Sequence, residues 1–256
     1  MQQATARARI WPYVLILCLA FITFVLALVP VSLVWERIRT PQMELQSNGL
    51  QGTLWQGRAD WVEWQAHSVQ AVRWSFHPWG LLRGIWEYQV ELQYEGAPVT
   101  GLIGLGPDGK IRGRDLQTQV LLQNMQALTD QMDIPAALQG DLQIEITRLI
   151  MSDKWPDALQ GRLALNSLGV VGLAELGDWQ GQLSQADNRH IRLQFAPASD
   201  DLLQGTGELI LTPTKTWNLT LKIRPMQAEG ESGALIGLLD ADSQGYIKLT
   251  QRGSWH

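Results

Sequence analysis

The sequence predicts a mainly β protein: an N-terminal transmembrane helix followed by one large, curved antiparallel β-sheet domain with one or two short helices. Three observations predict it. An uninterrupted apolar stretch lies near the N-terminus, apolar side chains recur at every second position beyond Pro41, and glycine and proline turn signals separate those runs. Period two places successive side chains on opposite faces of a strand, and so clean an alternation belongs to antiparallel sheets with one wet face.

The anchor comes first in the chain. No charged side chain lies between Arg9 and Glu36, and residues 14–29 are nearly all Leu, Ile, Val, Ala and Phe. About 20 helical residues rising about 1.5 Å each cross a hydrocarbon core of about 30 Å. Trp11, Tyr13 and Trp35 fall where amphipathic rings favour the headgroup zone. A cleaved signal peptide needs a shorter apolar segment and a small-residue cleavage motif, and Leu28-Val29-Pro30-Val31-Ser32 is a poor one. The expected organisation is a cytoplasmic tail over 1–10, a membrane helix over 11–35 and a β-rich domain over 36–256. Arg7 and Arg9 face Arg37 and Arg39 across the span, so positive-inside counting is close to balanced. The short tail and the net negative charge of the domain favour a cytoplasmic N-terminus.

Among the strands, the clearest run is Trp86, Tyr88, Val90, Leu92 and Tyr94, interleaved with Glu87, Gln89, Glu91 and Gln93. Trp217 to Arg224, Leu142 to Thr147 and a last strand, Tyr246 to Thr250, follow the same rule. The segment Thr53 to Gln65 reads as a long two-sided strand. Gly106-Pro107-Asp108-Gly109 is a turn, Asp153 to Asp157 a loop, and the glycines of 101–106 mark a bend between strands. Helical spacing occurs at Val120 to Met132, with a shorter helix at Gly233 to Leu239 capped by Ser232. The tripeptide Leu-Gln-Gly begins at Leu50, Leu138, Leu159 and Leu203, and Trp179-Gln180-Gly181 fills a similar place. A weak internal repeat and the preference of glycine for strand entries and bulges explain this equally well.

Composition narrows the functional classes. A net charge of −5 gives no general attraction for nucleic acid, and the one cysteine, Cys18, lies inside the apolar run. The histidines, His67, His77, His190 and His256, lack the short spacings of a metal site, and no nucleophile elbow or phosphate loop occurs. Asp240, Asp242, Gln244 and Gly245 begin a calcium-loop pattern, but Lys248 and Gln251 occupy its ninth and twelfth positions, so a turn before the last strand is the better reading. Asp60 and Glu63 near Trp61 and Trp64 offer acids beside aromatic platforms, as sugar chemistry requires; a two-sided strand accounts for them without a ligand. No catalytic residue, metal or cofactor is expected.

Leu50-Gln51-Gly52-Thr53-Leu54-Trp55-Gln56-Gly57-Arg58-Ala59, with Trp74-Ser75-Phe76-His77-Pro78-Trp79-Gly80-Leu81-Leu82 after it, resembles the protein N family of the type II secretion system. The order of features, a membrane helix, a Gly-Thr-x-Trp-x-Gly-x-Ala element, a Trp-x-x-x-Pro segment and a β-rich remainder, resembles that family across nearly the whole chain. The resemblance implies an accessory inner-membrane component, its domain in the periplasm, that serves export of folded proteins across the outer membrane. Its partners would be other secretion components of either membrane, besides the lipid bilayer itself. The residues carrying it are Gly52, Thr53, Leu54, Trp55, Gly57, Ala59, Trp74, Pro78 and Leu81, read as a structural or interaction motif. The opening is also similar to AsmA-like envelope proteins, which implies the alternative of a lipid-binding or lipid-transfer module, with lipid in a β groove lined by the apolar faces of the Trp86 and Trp217 strands.

Overall fold

The computed structural model describes residues 4–38, 45–64, 67–94, 96–125, 138–152, 155–170, 174–199, 203–225, 242–243 and 245–254. The chain divides into two compact units, 1–76 and 77–256.

In the first unit, helices α1 (Ala4–Ala27) and α2 (Val31–Ile38) precede strands β1 (Leu45–Asn48), β2 (Gln51–Gly52), β3 (Gln56–Trp64) and β4 (His67–His77). β3 pairs antiparallel with β1, β2 and β4. The segment expected as one helix over 11–35 is divided. Pro30 lacks an N–H and disfavours helical backbone just before it, and it forms a β-bridge with Thr53 while the Leu54 N–H donates to the Val29 carbonyl at 3.0 Å. The α1 side chains from Trp11 to Val25 are exposed. Among the described residues no helix is long and apolar enough to cross a membrane; α1 runs 24 residues, and the side chains at 4–10 and 26 lie outside those described.

In the second unit the strands are β5 (Trp86–Tyr94), β6 (Ala97–Leu105), β7 (Ile111–Leu121), β8 (Leu138–Ser152), β9 (Trp155–Val170), β10 (Ala174–Gln185), β11 (Ile191–Pro197), β12 (Leu203–Leu211), β13 (Thr216–Pro225) and β14 (Ile247–Ser254). Each pairs antiparallel with the next in the chain, a continuous meander. Short connections suit this order; at Gly106 to Gly109 the expected turn is closed by the Gly109 N–H donating to the Gly106 carbonyl at 3.0 Å.

Several local expectations change. Val120 and Leu121 end β7 rather than opening a helix, and Leu122–Met125 form a 3-10 turn; the rest of that helix, and the one at 233–239, lie outside the described residues. Pro156 and Asp157 belong to β9, not to a loop. Gly101 sits within β6 at a register shift opposite β7, so it bends a strand instead of joining two. Thr53 to Trp55 form a turn ahead of β3. The alternation of β5 holds from Tyr88 to Tyr94 but reverses at its start, where Trp86 is exposed and Glu87 buried. The cause is a 3-10 turn, Pro78–Arg83, lying on that face: a Cβ on Gly80 would stand 2.7 Å from the Glu87 Cβ. Arg83 and Arg114 each donate to Glu87 Oε2, at 3.0 and 3.2 Å.

Leu159, Trp179 and Leu203 are buried apolar side chains among the described residues. Leu138 and Leu203 do open strands, whereas Leu159 and Trp179 lie inside β9 and β10. At Leu159, Trp179 and Leu203 the pattern places its apolar side chain on the buried face. Glycine elsewhere in the sheet makes room for cross-strand rings. Gly57 stands opposite Trp74, Gly207 opposite Phe195 and Gly253 opposite Trp217. A Cβ on Gly207 would lie 2.1 Å from two carbons of the Phe195 ring, the ring-over-glycine arrangement that pins register in sheets.

Gly207→Ala is expected to lower stability by about 1–3 kcal/mol through overpacking, read by urea unfolding; in a Phe195→Ala background that cost should shrink, and an undiminished cost would rule out the ring as its cause. Glu87→Gln is expected to cost about 1–3 kcal/mol, the range for charged hydrogen bonds, in the same assay.

Candidate functional site

Two features stand out as places where function could reside: the turn that carries the family-like motif, and a groove on the second unit.

The turn is closed by its own sequence. Gly52 has φ +106, and a Cβ there would meet the Gln56 carbonyl oxygen at 2.5 Å, so only glycine fits without displacement. The Thr53 N–H donates to the Gln56 carbonyl at 2.8 Å, while Thr53 Oγ1 accepts the N–H groups of Trp55 and Gln56, both at 3.3 Å. Trp74 Nε1 donates to the Thr53 carbonyl at 3.2 Å, with its ring across Gly57. Trp55 meets Phe76 edge to face, centroids 5.0 Å apart, and Ala59, paired with Val72 on β4, is buried. The structure thus brings Gly52, Thr53, Leu54, Trp55, Gly57, Ala59 and Trp74 into one knot, tied through Thr53 and Leu54 to the α1–α2 junction. Pro78 and Leu81 belong to the second unit, in the 3-10 turn, where Leu81 is exposed.

The groove, of about 1400 Å³, follows from register. On one face of the meander Gln117 stands opposite Glu145, Glu145 opposite Arg162, and Arg162 opposite Gln182. The row continues through Gln194, Glu208 and Thr220. Ile144, Leu163 and Phe195 border the groove from intervening positions of the same strands; the Phe195 ring lies against Gly207 and meets Trp179 edge to face at 5.8 Å. Acids and bases in the row neutralise one another: Arg162 pairs with Glu145 and Arg192 with Glu208, both at 3.1 Å. Glutamine amides and threonine hydroxyls thus share the walls with charged groups and with the apolar Pro98, Ile144, Leu163, Ala164 and Phe195. Neither the apolar face of the Trp86 strand nor that of the Trp217 strand lines this recess, contrary to the arrangement a lipid groove of that design requires.

Asp60 and Glu63, weighed above for sugar chemistry, border a shallow depression of about 360 Å³ with Trp61, Ser68 and Gln70. No basic side chain lines it. Among the described residues no group of His, Cys, Asp or Glu is placed to hold a metal, and Asp242 caps a turn instead, its Oδ1 accepting the Tyr246 N–H at 2.9 Å. Asp240 and Gln244 lie outside the described residues. The sequence reading missed the Glu87 contacts and the groove; the signal for the first was Gly80, and for the second the recurrence of Gln on successive polar faces.

Fold and site together define a β-meander protein of the open-sheet class, with a groove of mixed polar and apolar lining on one face. The chain belongs to the type II secretion system protein N family: the family model described as "Type II secretion system (T2SS), protein N" matches residues 43–250. It is similar to the type II secretion system protein N of Aeromonas hydrophila, 26% identical over 243 residues that cover 91% of this chain and 94% of the relative. It is also similar to that of Vibrio cholerae serotype O1, 25% identical over 173 residues covering 64% of this chain and 67% of the relative. No solved structure matches. Membership makes the chain a component of the type II secretion system.

Lys110 Nζ donates to Asp157 Oδ2 at 2.6 Å and holds that carboxyl below the ordinary carboxylate range, against a smaller opposing effect of burial and with help from Arg189 at 2.8 Å. A depressed carboxylate stabilises the fold above its unfolded-state value and loses that contribution as pH falls through the folded-state value. The stability advantage over Asp157→Asn should accordingly be present at neutral pH and disappear below about pH 4, checked by thermal unfolding at both ends.

Proposed function

We propose that this chain is an accessory inner-membrane component of the type II secretion system. Its domain stands in the periplasm and takes part in export of folded proteins across the outer membrane through protein–protein contacts. The observation that carries this reading is the family match, which spans nearly all of the chain beyond the helices. α1 is the membrane anchor, with its N-terminus in the cytoplasm. Its uncharged part, Ile10 to Ala27, amounts to about 27 Å of helix, close to a hydrocarbon core of about 30 Å, and its exposed Leu, Ile and Phe side chains suit lipid. Sheet edges give neighbouring components strands to extend. The turn around Gly52 to Trp74 serves as structure, joining the anchor's end to the first strands. A net charge of −5 speaks against nucleic acid as a partner. No residue is assigned to catalysis, and the glutamine amides and charged groups along the groove speak against hydrocarbon as its occupant.

Photocrosslinking in the cell from positions on β5 to β14 is expected to capture other secretion-system components; lipid adducts without any secretion partner would overturn the reading. In spheroplasts, added protease should remove the domain and leave a membrane-bound fragment containing α1. Protection of the domain would reverse the orientation.

A further inference from the structure

We propose that the β13–β14 end of the groove is a binding site for an extended acidic polypeptide segment, held by Lys222 and Lys248. The inference deepens the secretion reading by naming the chemistry of a partner segment. Its test needs no secretion apparatus, so the two readings fail separately.

The argument starts from a like-charge pair. Lys222 stands directly opposite Lys248 on adjacent strands, both are exposed, and both line the groove. Like charges at directly opposed positions destabilise a sheet. Several other cations of this unit sit beside acids, Arg162 with Glu145, Arg192 with Glu208 and Lys110 with Asp157, but none of those stands directly opposite a second cation. Neither Lys222 nor Lys248 has a carboxylate within ion-pair distance among the described residues. Asp242 lines this end too and stays negative while its Oδ1 accepts the Tyr246 N–H, so the two lysines leave this end with a net positive charge. Lys222 Nζ stands 4.4 Å from the Tyr246 ring centroid, which steadies a cation without neutralising it.

The protective role of lysine on exposed edges accounts for Lys248, since β14 is the last strand of the order, but not for Lys222 on the strand inside it. In a chain of net charge −5, a cation pair concentrated at one end of a recess selects an anionic ligand.

The rest of the groove specifies what carries the anion. Gln117, Gln182 and Gln194 present amides that both donate and accept, matching a peptide backbone. The aromatic ring among the lining residues, Phe195, is turned onto Gly207, so no ring plane is offered to a sugar. From β6 to β14 the groove crosses roughly 38 Å at about 4.8 Å per strand, the length of about twelve extended residues.

The probe is a fluorescent peptide of about twelve residues alternating Gln and Glu, titrated by anisotropy onto the full-length chain in detergent at about 50 and 300 mM salt. Saturable binding weakened by salt is expected, reduced about tenfold or more in Lys222→Gln/Lys248→Gln. Neutralising the pair relieves repulsion, so the variant should unfold at an unchanged or higher urea midpoint, separating lost binding from lost structure. No saturable binding, or equal affinity in the variant, would overturn the proposal. So would equally tight binding of an oligogalacturonate of matched charge, which would make the site a general polyanion surface.

Discussion

A strand slipped by one residue turns its Leu and Ile side chains onto the face of Gln and Glu, and in a meander each later strand inherits the error. Register is therefore the constraint on which the second unit depends. Leu159, Trp179, Leu203 and Ile247 are buried only because β9, β10, β12 and β14 hold the same phase. The groove depends on it equally, since its polar wall is the other half of the same alternation.

Two devices hold the phase. One is the ring laid over a glycine, at Phe195 with Gly207 and Trp217 with Gly253, where a side chain on the glycine would collide and a shifted ring would lose its seat. The other is the bulge. β8 and β9 shift register near Gly140, and Ser167, at φ +52, donates its N–H to Asp178 Oδ1 at 2.7 Å. A non-glycine residue in the left-handed region costs energy; the carboxylate of the next strand offsets it and fixes the bulge in place. Tryptophan serves both purposes, because its N–H can bond at a distance from its ring: Trp155 to the Arg189 carbonyl at 2.6 Å, Trp179 to the Leu176 carbonyl at 3.0 Å.

Periodicity made the strands legible, since alternation is local and survives in the primary sequence at Tyr88 to Tyr94 and Trp217 to Ile223. What stayed hidden depends on neighbours remote in sequence. Glu87 reads as a solvent-facing acid until Arg114, 27 residues away, is brought to it. Val120 and Leu121 fit a helix by spacing, but pairing with Leu142 and Asp141 on β8 claims them for the sheet. Gly52, Thr53, Trp55 and Gly57 were legible as a motif, yet their closure by the Trp74 indole and the Pro30 bridge was not, because both contacts cross the chain. Pro78 and Leu81 were grouped with them by sequence order and fold into the other unit.

The recess changes what kind of molecule the domain suits. A sheet beside a lipid surface can turn either face toward a partner, and an apolar hollow would favour hydrocarbon. Here the hollow presents amides, hydroxyls and charged groups beside apolar surface, and burying those polar groups against hydrocarbon leaves their hydrogen bonds unmade, at a cost of about 1–3 kcal/mol each. Water or a hydrogen-bonding polymer meets that demand. A meander, which supplies one polar side chain per strand at a regular spacing, meets it along a line perpendicular to the strands, so the polymer's repeat matters more than any single contact. The apolar half of the alternation then remains available for the protein's own packing, which is where Trp179 and Phe195 meet. Packing and the polar groove are thereby assigned to opposite faces of the same strands, each free to vary without disturbing the other as long as register holds.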